Sequence, residues 1–372
     1  MTAMLQPRYA SKIHARARPT EYFHESLETL SRAALEKVQL RRLRATVKRA
    51  FEAVPLHRRR MEAAGITPRD VRTLDDVRSL PFTLKSDLRE HYPFGLFARP
   101  RTKLARLHAS SGTTGKPTVV GYTRHDIALG AGLMAHAGDV VHNAYGYGLF
   151  TGGLGAHYGA EPWSEAMRRE IESRLGLRAF DIYGLSEIMG PGVAVECEAQ
   201  DGLHGWEDHF LFEVIDPQTG QPLADGESGE LVITTLTKQA LPMLRYRTRD
   251  ITRLARRACA CGRTHARLQR ITGRNDDMLI IRGVNVYPSQ IEAVLVGLPG
   301  IAPHYQLVLE RKGSLDELTI EVEASDAGAA ERVRHHVKSM IGVSAAVKVM
   351  KPGEVPRSQG KAVRVRDLRP KA

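Results

Sequence analysis

The sequence predicts a mixed α/β protein of two domains, a large one at the N-terminus and a small α+β one at the C-terminus. Apolar residues recur at three- and four-residue spacing over 27–54, which is typical of one amphipathic helix or a kinked pair. Residues 210–237 hold two runs of strand-forming residues on either side of a turn. From Met278 onward, patterns of strand, helix, two strands, helix and strand follow in order.

The boundary between the domains is predicted near Asp276, which gives domains of residues 1–275 and 276–372. The sequence has no apolar run of about 18 residues, so no membrane-spanning helix is predicted. The basic N-terminus lacks the apolar stretch of a secretory signal. The 3 cysteines favour a reducing compartment, the cytoplasm, over a disulfide framework.

The formal net charge of +12 raises the question of nucleic-acid binding. Much of the excess lies on the polar face of the helix predicted over 27–54, where a solvated surface is the simpler interpretation. The 9 Phe, 2 Trp and 11 Tyr do not alternate with basic residues, as they would in a chain that stacks bases. Positive potential also attracts small polyanions. Neither nucleic acid nor membrane is therefore an expected partner.

A polar loop is the strongest single functional signal. Its residues are Ser110, Ser111, Gly112, Thr113, Thr114, Gly115 and Lys116. Glycines let backbone N–H groups turn toward one point, and hydroxyls and an ammonium surround it, so the loop can enclose a polyphosphate. It is not a Walker A loop, because Pro117 stands where that pattern has its magnesium-binding Ser or Thr. By itself the loop is equally consistent with a flexible polar connection.

Four further segments carry side chains suited to nucleotide chemistry. They are residues 181–187, 246–250, 271–277 and 356–361. The second offers a carboxylate, Asp250, that can accept hydrogen bonds from two ribose hydroxyls. The last places Lys361 in a glycine-containing loop. Each segment is weak by itself, but in this order they closely resemble the adenylate-forming superfamily of acyl-CoA synthetases and related adenylating domains.

Other segments narrow the resemblance to phenylacetate–coenzyme A ligases. They are residues 143–153, 160–163, 206–209, 259–265 and 282–288. The resemblance runs from about residue 8 to residue 369 and implies a large N-terminal domain with mixed and parallel sheets and a C-terminal lid. It implies ATP, Mg²⁺ and coenzyme A as cofactors, and phenylacetate or a similar aryl acid as substrate. A homodimer is a further expectation.

The resemblance also implies roles for individual residues. The aryl carboxylate would attack the α-phosphate of ATP, and coenzyme A would then displace AMP from the acyl-adenylate. Lys361 and Glu187 would be catalytic, the first between carboxylate and α-phosphate, the second through Mg²⁺. The nucleotide would contact the polar loop together with Ala160, Glu161, Pro162, Tyr183, Gly184, Asp250 and Arg274. The acid pocket would include Tyr145 and Tyr147, and the coenzyme A face would include Arg282 and Gly283.

A structural zinc site is a further hypothesis. Cys259 and Cys261 are spaced as metal ligands can be, and some members of the family carry a Cys/His cluster here. A structural zinc ion needs four ligands in tetrahedral geometry. The candidate ligands are Cys197, His204, Cys259 and Cys261. Three buried thiols without a metal remain the alternative.

The chain is shorter than the family pattern before Ala160. Relatives have several strands and helices where this sequence has a junction near residues 155–161, and about two βα units of about 30 residues each are missing. Six of the fourteen residues 146–159 are glycine, so no buried strand is predicted to lead into Glu161. Gly159-Ala160-Glu161 would fit either edge of the gap.

Loss of interior strands would leave unpaired strand edges and remove pocket walls. We therefore expect a fold truncated centrally, with low stability and weak activity. A catalytically impaired remnant that still binds nucleotide, and a ligase for another aryl acid, are the alternatives to an active phenylacetate ligase.

Overall fold

The computed structural model describes most of the chain. The described residues are 22, 24–109, 118–133, 168–169, 172–173, 176, 178–271, 273–274, 279–281, 284–296, 298–312, 315–324, 326, 328–356 and 364–369. Within these ranges, no helix combines the length and the apolar character needed to cross a bilayer.

The described residues form seven α-helices. They are α1 (Glu25–Glu28), α2 (Arg32–Ala53), α3 (Pro55–Ala63), α4 (Lys85–Glu90), α5 (Arg124–Gly132), α6 (Pro288–Val296) and α7 (Ala329–Ile341), with 3-10 turns at Pro68–Asp70, Asp75–Ser79 and Arg101–Lys103. Of the region predicted as a helix or kinked pair over 27–54, residues 32–53 form α2, and non-helical residues 29–31 separate it from α1. The Ser31 side chain caps its N-terminus by accepting from the Ala34 amide, and extended Val54 before Pro55 ends it.

The strands form five sheets within the described residues. They are β1 (Arg106–Ala109), β2 (Val119–Tyr122), β3 (Ile182–Leu185), β4 (Gly190–Glu196), β5 (Leu203–Gly205), β6 (Phe210–Ile215), β7 (Gly229–Thr235), β8 (Tyr246–Thr252), β9 (Leu254–Ala255), β10 (Arg267–Leu268), β11 (Gly273–Arg274), β12 (Leu279–Ile281), β13 (Val284–Val286), β14 (Ile301–Lys312), β15 (Leu315–Ala324), β16 (Ala346–Met350) and β17 (Val365–Asp367). The sheet orders are β1-β2, β3-β4-β5-β10-β9, β11-β8-β7-β6, β12-β13 and β16-β15-β14-β17.

The mixed α/β class is confirmed. The β6–β7 hairpin confirms the two strands predicted within 210–237. In the C-terminal sheet, β14 and β15 are antiparallel, whereas β17 and β16 pair parallel to them. In the described part of the large domain the strand ladders are antiparallel, as short connections between neighbouring strands require.

Two separate hydrophobic clusters support the division into two domains. One is built around Phe210, Leu231 and Tyr246, and the other lies between residues 279 and 345. The predicted boundary falls among residues 275–278, which lie outside the described residues, so its position stays a prediction.

The segment before α4 is bound along β8. The Thr83 amide donates to the Arg245 carbonyl at 3.1 Å, and the Arg247 amide donates to the Thr83 carbonyl at 3.0 Å. The Arg245 guanidinium makes two bonds to the Glu213 carboxylate, of 2.9 and 3.1 Å. This attachment directs the first residue of α4, Lys85, toward the turn between β3 and β4.

Candidate functional site

Three predicted nucleotide-binding residues come together where two sheets meet. The Tyr183 hydroxyl, on β3, donates to Oδ2 of Asp250, on β8, at 2.6 Å. Asp250 is buried. Arg274 lies directly opposite Asp250 in the β8–β11 ladder. An aromatic ring, a carboxylate and the backbone of an arginine that are distant in sequence thus share one place, which can hold a polar, ring-containing ligand.

The turn between β3 and β4 carries Glu187. The amides of Ile188 and Met189 both donate to the Leu185 carbonyl, at 3.0 and 3.1 Å, which closes a tight turn. The Glu187 side chain is buried, and its Oε1 lies 3.0 Å from the ammonium of Lys85. Carboxylate oxygens are ligands that Mg²⁺ prefers.

The predicted polyphosphate loop leaves the described chain after β1 and rejoins it before β2. Ala109 pairs with Val119 in the β1–β2 ladder, so the two ends of the 110–116 segment adjoin each other. The Tyr122 hydroxyl, on β2, donates to the Ser186 carbonyl at 3.0 Å. This bond ties the strand that follows the loop to the turn that carries Glu187.

Residues missed by the sequence analysis also contact the Glu187 turn. Lys85 pairs with the Glu187 carboxylate, and the fully buried Lys238 donates to the Glu187 carbonyl at 2.9 Å. Neither lysine belongs to a motif quoted above. A lone lysine in the otherwise uncharged segment from Leu236 to Leu241 was the only signal that could have singled out Lys238.

Many predicted site residues lie outside the described residues. They are Ser110, Ser111, Gly112, Thr113, Thr114, Gly115, Lys116, Tyr145, Tyr147, Ala160, Glu161, Pro162, Arg282, Gly283 and Lys361. The junction predicted near 155–161 lies there too, as does the side chain of Arg274. Their assigned roles stay predictions.

The four predicted metal ligands come together beside β4 and β5. Their ligand atoms all lie within 4.8 Å of one another. The sulfur atoms of Cys197 and Cys259 are 3.7 Å apart, and Cys261 Sγ is 3.4 Å from His204 Nε2. Two sulfurs bound at about 2.3 Å to one tetrahedral zinc ion would be about 3.8 Å apart. His204 Nδ1 lies 3.1 Å from the His265 carbonyl, and donation there leaves Nε2 as the acceptor facing the thiols.

Comparisons with known proteins identify the class. The AMP-binding enzyme C-terminal domain family matches residues 283–369. The crystal structure of 2-hydroxyisobutyryl-CoA ligase in its postadenylation state, in complex with 2-HIB-AMP, superposes with a TM-score of 0.84 at 27% identity, over 95% of this chain and 94% of that chain. The fold is therefore that of the adenylate-forming CoA ligases.

Sequence relatives identify the family within this class. The phenylacetate-coenzyme A ligase of Escherichia coli is 46% identical over 93% of this chain and 97% of its own length. The Thermus thermophilus ligase of the same name is 44% identical over 93% of this chain and 99% of its own length. The chain belongs to the phenylacetate–coenzyme A ligase family, which confirms the resemblance inferred from the motifs.

The alignment with the Escherichia coli protein also bears on chain length. It spans 428 positions, whereas the chain has 372 residues, so some positions of the relative have no counterpart here. The predicted loss of an internal segment requires such gaps, while its place near residues 155–161 stays a prediction.

Gly184 has no room for a side chain. A Cβ atom there would lie 1.9 Å from the Gly190 carbonyl oxygen and 2.7 Å from Pro191 Cα, and neither backbone atom can move aside. We expect Gly184→Ala to lower the free energy of unfolding by about 3 kcal/mol or more. Urea unfolding followed by circular dichroism measures this.

Gly130→Ala, in α5, is the matched control. Its Cβ would meet Met189 Cγ at an ordinary 3.6 Å, and alanine favours a helix over glycine by about 1 kcal/mol. Equal effects of the two substitutions would contradict the close approach of β3 and β4 at Gly184.

Proposed function

We propose that the chain activates phenylacetate, or a similar aryl acid, with ATP and transfers the acyl group to coenzyme A, releasing AMP and pyrophosphate. One observation carries the proposal. In a chain of this family, Tyr183 and Asp250 meet opposite Arg274. ATP and coenzyme A are substrates of AMP-forming acid–thiol ligases, so the nucleotide is the natural ligand of this place.

In this proposal the nucleotide lies across strands β3 and β8. Asp250 accepts hydrogen bonds from the ribose hydroxyls, and Tyr183 holds that carboxylate in place. Residues 160–162 lie against the adenine, and residues 110–116 enclose the β- and γ-phosphates. Glu187 would hold Mg²⁺, which when bound neutralises charge on the phosphates. Support comes from the Tyr122–Ser186 bond, which links the strand after the loop to the Glu187 turn.

The two half-reactions would use two positions of the C-terminal domain. Lys361 would bridge the carboxylate and the α-phosphate during adenylation, a role that suits a point charge on a long stem. Turning about residues 274–277 would then bring Arg282 and Gly283 toward coenzyme A. The solved 2-hydroxyisobutyryl-CoA ligase supports such a movement in the class, because this chain superposes on its postadenylation state with a TM-score of 0.84 and on its thioesterification state with one of 0.63.

We also propose a structural zinc ion bound by Cys197, His204, Cys259 and Cys261. The sulfur separations and the orientation of His204 fit a tetrahedral ion. The ion would join β4 and β5 to the loop between β9 and β10. Such a site would be a structural support for these elements.

We infer a cytoplasmic location from the three free cysteines and the substrates. The homodimer stays a prediction. The second candidate function, a nucleotide-binding remnant with weak ligase activity, is favoured by the gaps in the alignment with full-length relatives.

Lys361→Ala tests the reaction. We expect pyrophosphate release from ATP and phenylacetate to fall at least about 100-fold, because the charge that develops between carboxylate and α-phosphate loses its counter-ion. Thioester formation from supplied phenylacetyl-adenylate should persist. Lys351→Ala, an exposed lysine of the same domain, should change neither rate. An equal fall in both half-reactions would show that Lys361 does not act in adenylation.

Metal analysis tests the zinc proposal. Protein purified without chelator should contain about one zinc ion per chain, and His204→Gln should lower both the zinc content and the melting temperature. His108→Gln, which changes a buried histidine of β1, should leave the zinc content unchanged. A zinc content near zero in the wild-type protein would rule the site out.

Replacement of the missing segment tests the effect of the shortened chain. We expect insertion of the corresponding Escherichia coli segment after Gly159 to raise the melting temperature and the ligase rate, because it would pair open strand edges. A Gly/Ser insertion of equal length should give neither gain. The expectation is wrong if the chain as it stands melts cooperatively and makes phenylacetyl-CoA at about 1 per second or faster.

A further inference from the structure

Lys238, which follows β7, is a buried cation in the large domain. Its side chain is 0% exposed. A buried ammonium group is costly unless nearby groups replace the water that it has lost. None of the ion pairs within 4.0 Å among the described residues includes Lys238, so its charge is balanced in another way.

Two neighbours replace that water. The ammonium donates to the backbone carbonyl of Glu187 at 2.9 Å. It also lies 4.9 Å from the centre of the Tyr122 ring, within the range of a cation–π interaction. The contact to Glu187 is made to the backbone, which leaves the carboxylate to Lys85 at 3.0 Å. The two lysines therefore hold one glutamate at two different points.

The backbone beside Lys238 is itself anchored. The amides of Gln239 and Ala240 donate to the carboxylate of Asp126, in the first turn of α5, at 2.7 and 3.0 Å. The carboxylate also accepts from the Thr123 amide at 2.9 Å, which caps α5. Because β2 and α5 are consecutive, Lys238 is fixed to the elements that directly follow the predicted polyphosphate loop.

Burial lowers the pKa of Lys238 to about 8, while the carboxylates of Asp126 and Glu187 oppose the shift. A methionine would fill similar space without donating a hydrogen bond, so a purely space-filling role would not require the ammonium.

We propose that Lys238 is a positioning residue for Glu187. The bond from Lys238 to the Glu187 carbonyl fixes the position of the turn, so that the Glu187 carboxylate can bind the metal ion of Mg·ATP. This inference rests on the proposed function of Glu187. It extends that function to a residue that touches neither substrate nor metal. Residues that orient a metal ligand without binding the metal themselves commonly contribute about 10- to 100-fold to metal affinity.

Calorimetric titration of the full chain with Mg·ATP and, separately, with AMP tests the inference. We expect Lys238→Met to weaken Mg·ATP binding about ten-fold or more and to leave AMP binding within about two-fold, since AMP reaches no metal ion. Equal weakening of both ligands, or of neither, would overturn the inference. Lys348→Met, which removes an exposed lysine of the C-terminal domain, should affect neither ligand.

Glu187→Gln separates this inference from the proposed function. If it leaves Mg·ATP binding unchanged, the metal role of Glu187 is wrong, and the role of Lys238 falls with it. If it weakens Mg·ATP binding while Lys238→Met does not, only the role of Lys238 is wrong. Combining the two substitutions should weaken binding no further than Glu187→Gln does, because both act through one carboxylate.

Tyr122→Phe provides a second route should Lys238→Met fail to fold. It keeps the ring beneath the ammonium and removes the hydroxyl that donates to the Ser186 carbonyl. We expect Mg·ATP binding to weaken by about two- to ten-fold with AMP binding unchanged, the size of one neutral hydrogen bond. Unchanged Mg·ATP binding in this variant would overturn the positioning of the turn.

Discussion

The hydrogen bond from the Tyr183 hydroxyl to the Asp250 carboxylate joins two sheets of the large domain at the candidate site. β3 belongs to the five-stranded sheet and β8 to the four-stranded one. A bond from a hydroxyl to a carboxylate is stronger than one between neutral groups, and its 2.6 Å length is typical of that kind. Because Arg274 lies opposite Asp250, the same register that brings the candidate site together also sets where the chain leaves toward the C-terminal domain.

A second constraint acts on the segment that carries Lys85. Arg245 adopts a φ of 43°, in the left-handed region that a non-glycine residue enters at a cost of about 1–3 kcal/mol. Its guanidinium binds Glu213 twice and lies 4.0 Å from the centre of the Phe82 ring. A buried ion pair of this kind contributes little net stability compared with apolar residues, but it tolerates few alternative arrangements. We infer that the role of this ion pair is to fix the path of the chain from Phe82 to Lys85.

The parts of the structure that could be predicted are those determined by residues close together in sequence. The spacing that gave α2 and the turn between β6 and β7 are local patterns, and both elements were found. The grouping of Cys197 and His204 with two cysteines about sixty residues further on came from resemblance to the family, since no local pattern pairs them. Lys85 and Lys238 were missed for the same physical reason. Each is a single lysine in an ordinary segment, and its partner lies far away in sequence.

The predicted loss of an internal segment would affect the two halves of the candidate site differently. Tyr183, Glu187 and Asp250 stand on antiparallel strands with short connections, and their supporting bonds run to α4, β2 and the loop after β7. None of these elements adjoins the predicted junction near residues 155–161 in the chain. β1 and β3 each have one partner strand among the described residues. Leu107, in β1, is 43% exposed, and Phe180, which precedes β3 in the chain, is 37% exposed. In the proposed site, the predicted ribose and metal residues would thus keep their framework, and the predicted loss would fall on the adenine and acid residues, where an aryl-acid ligase would select its substrate.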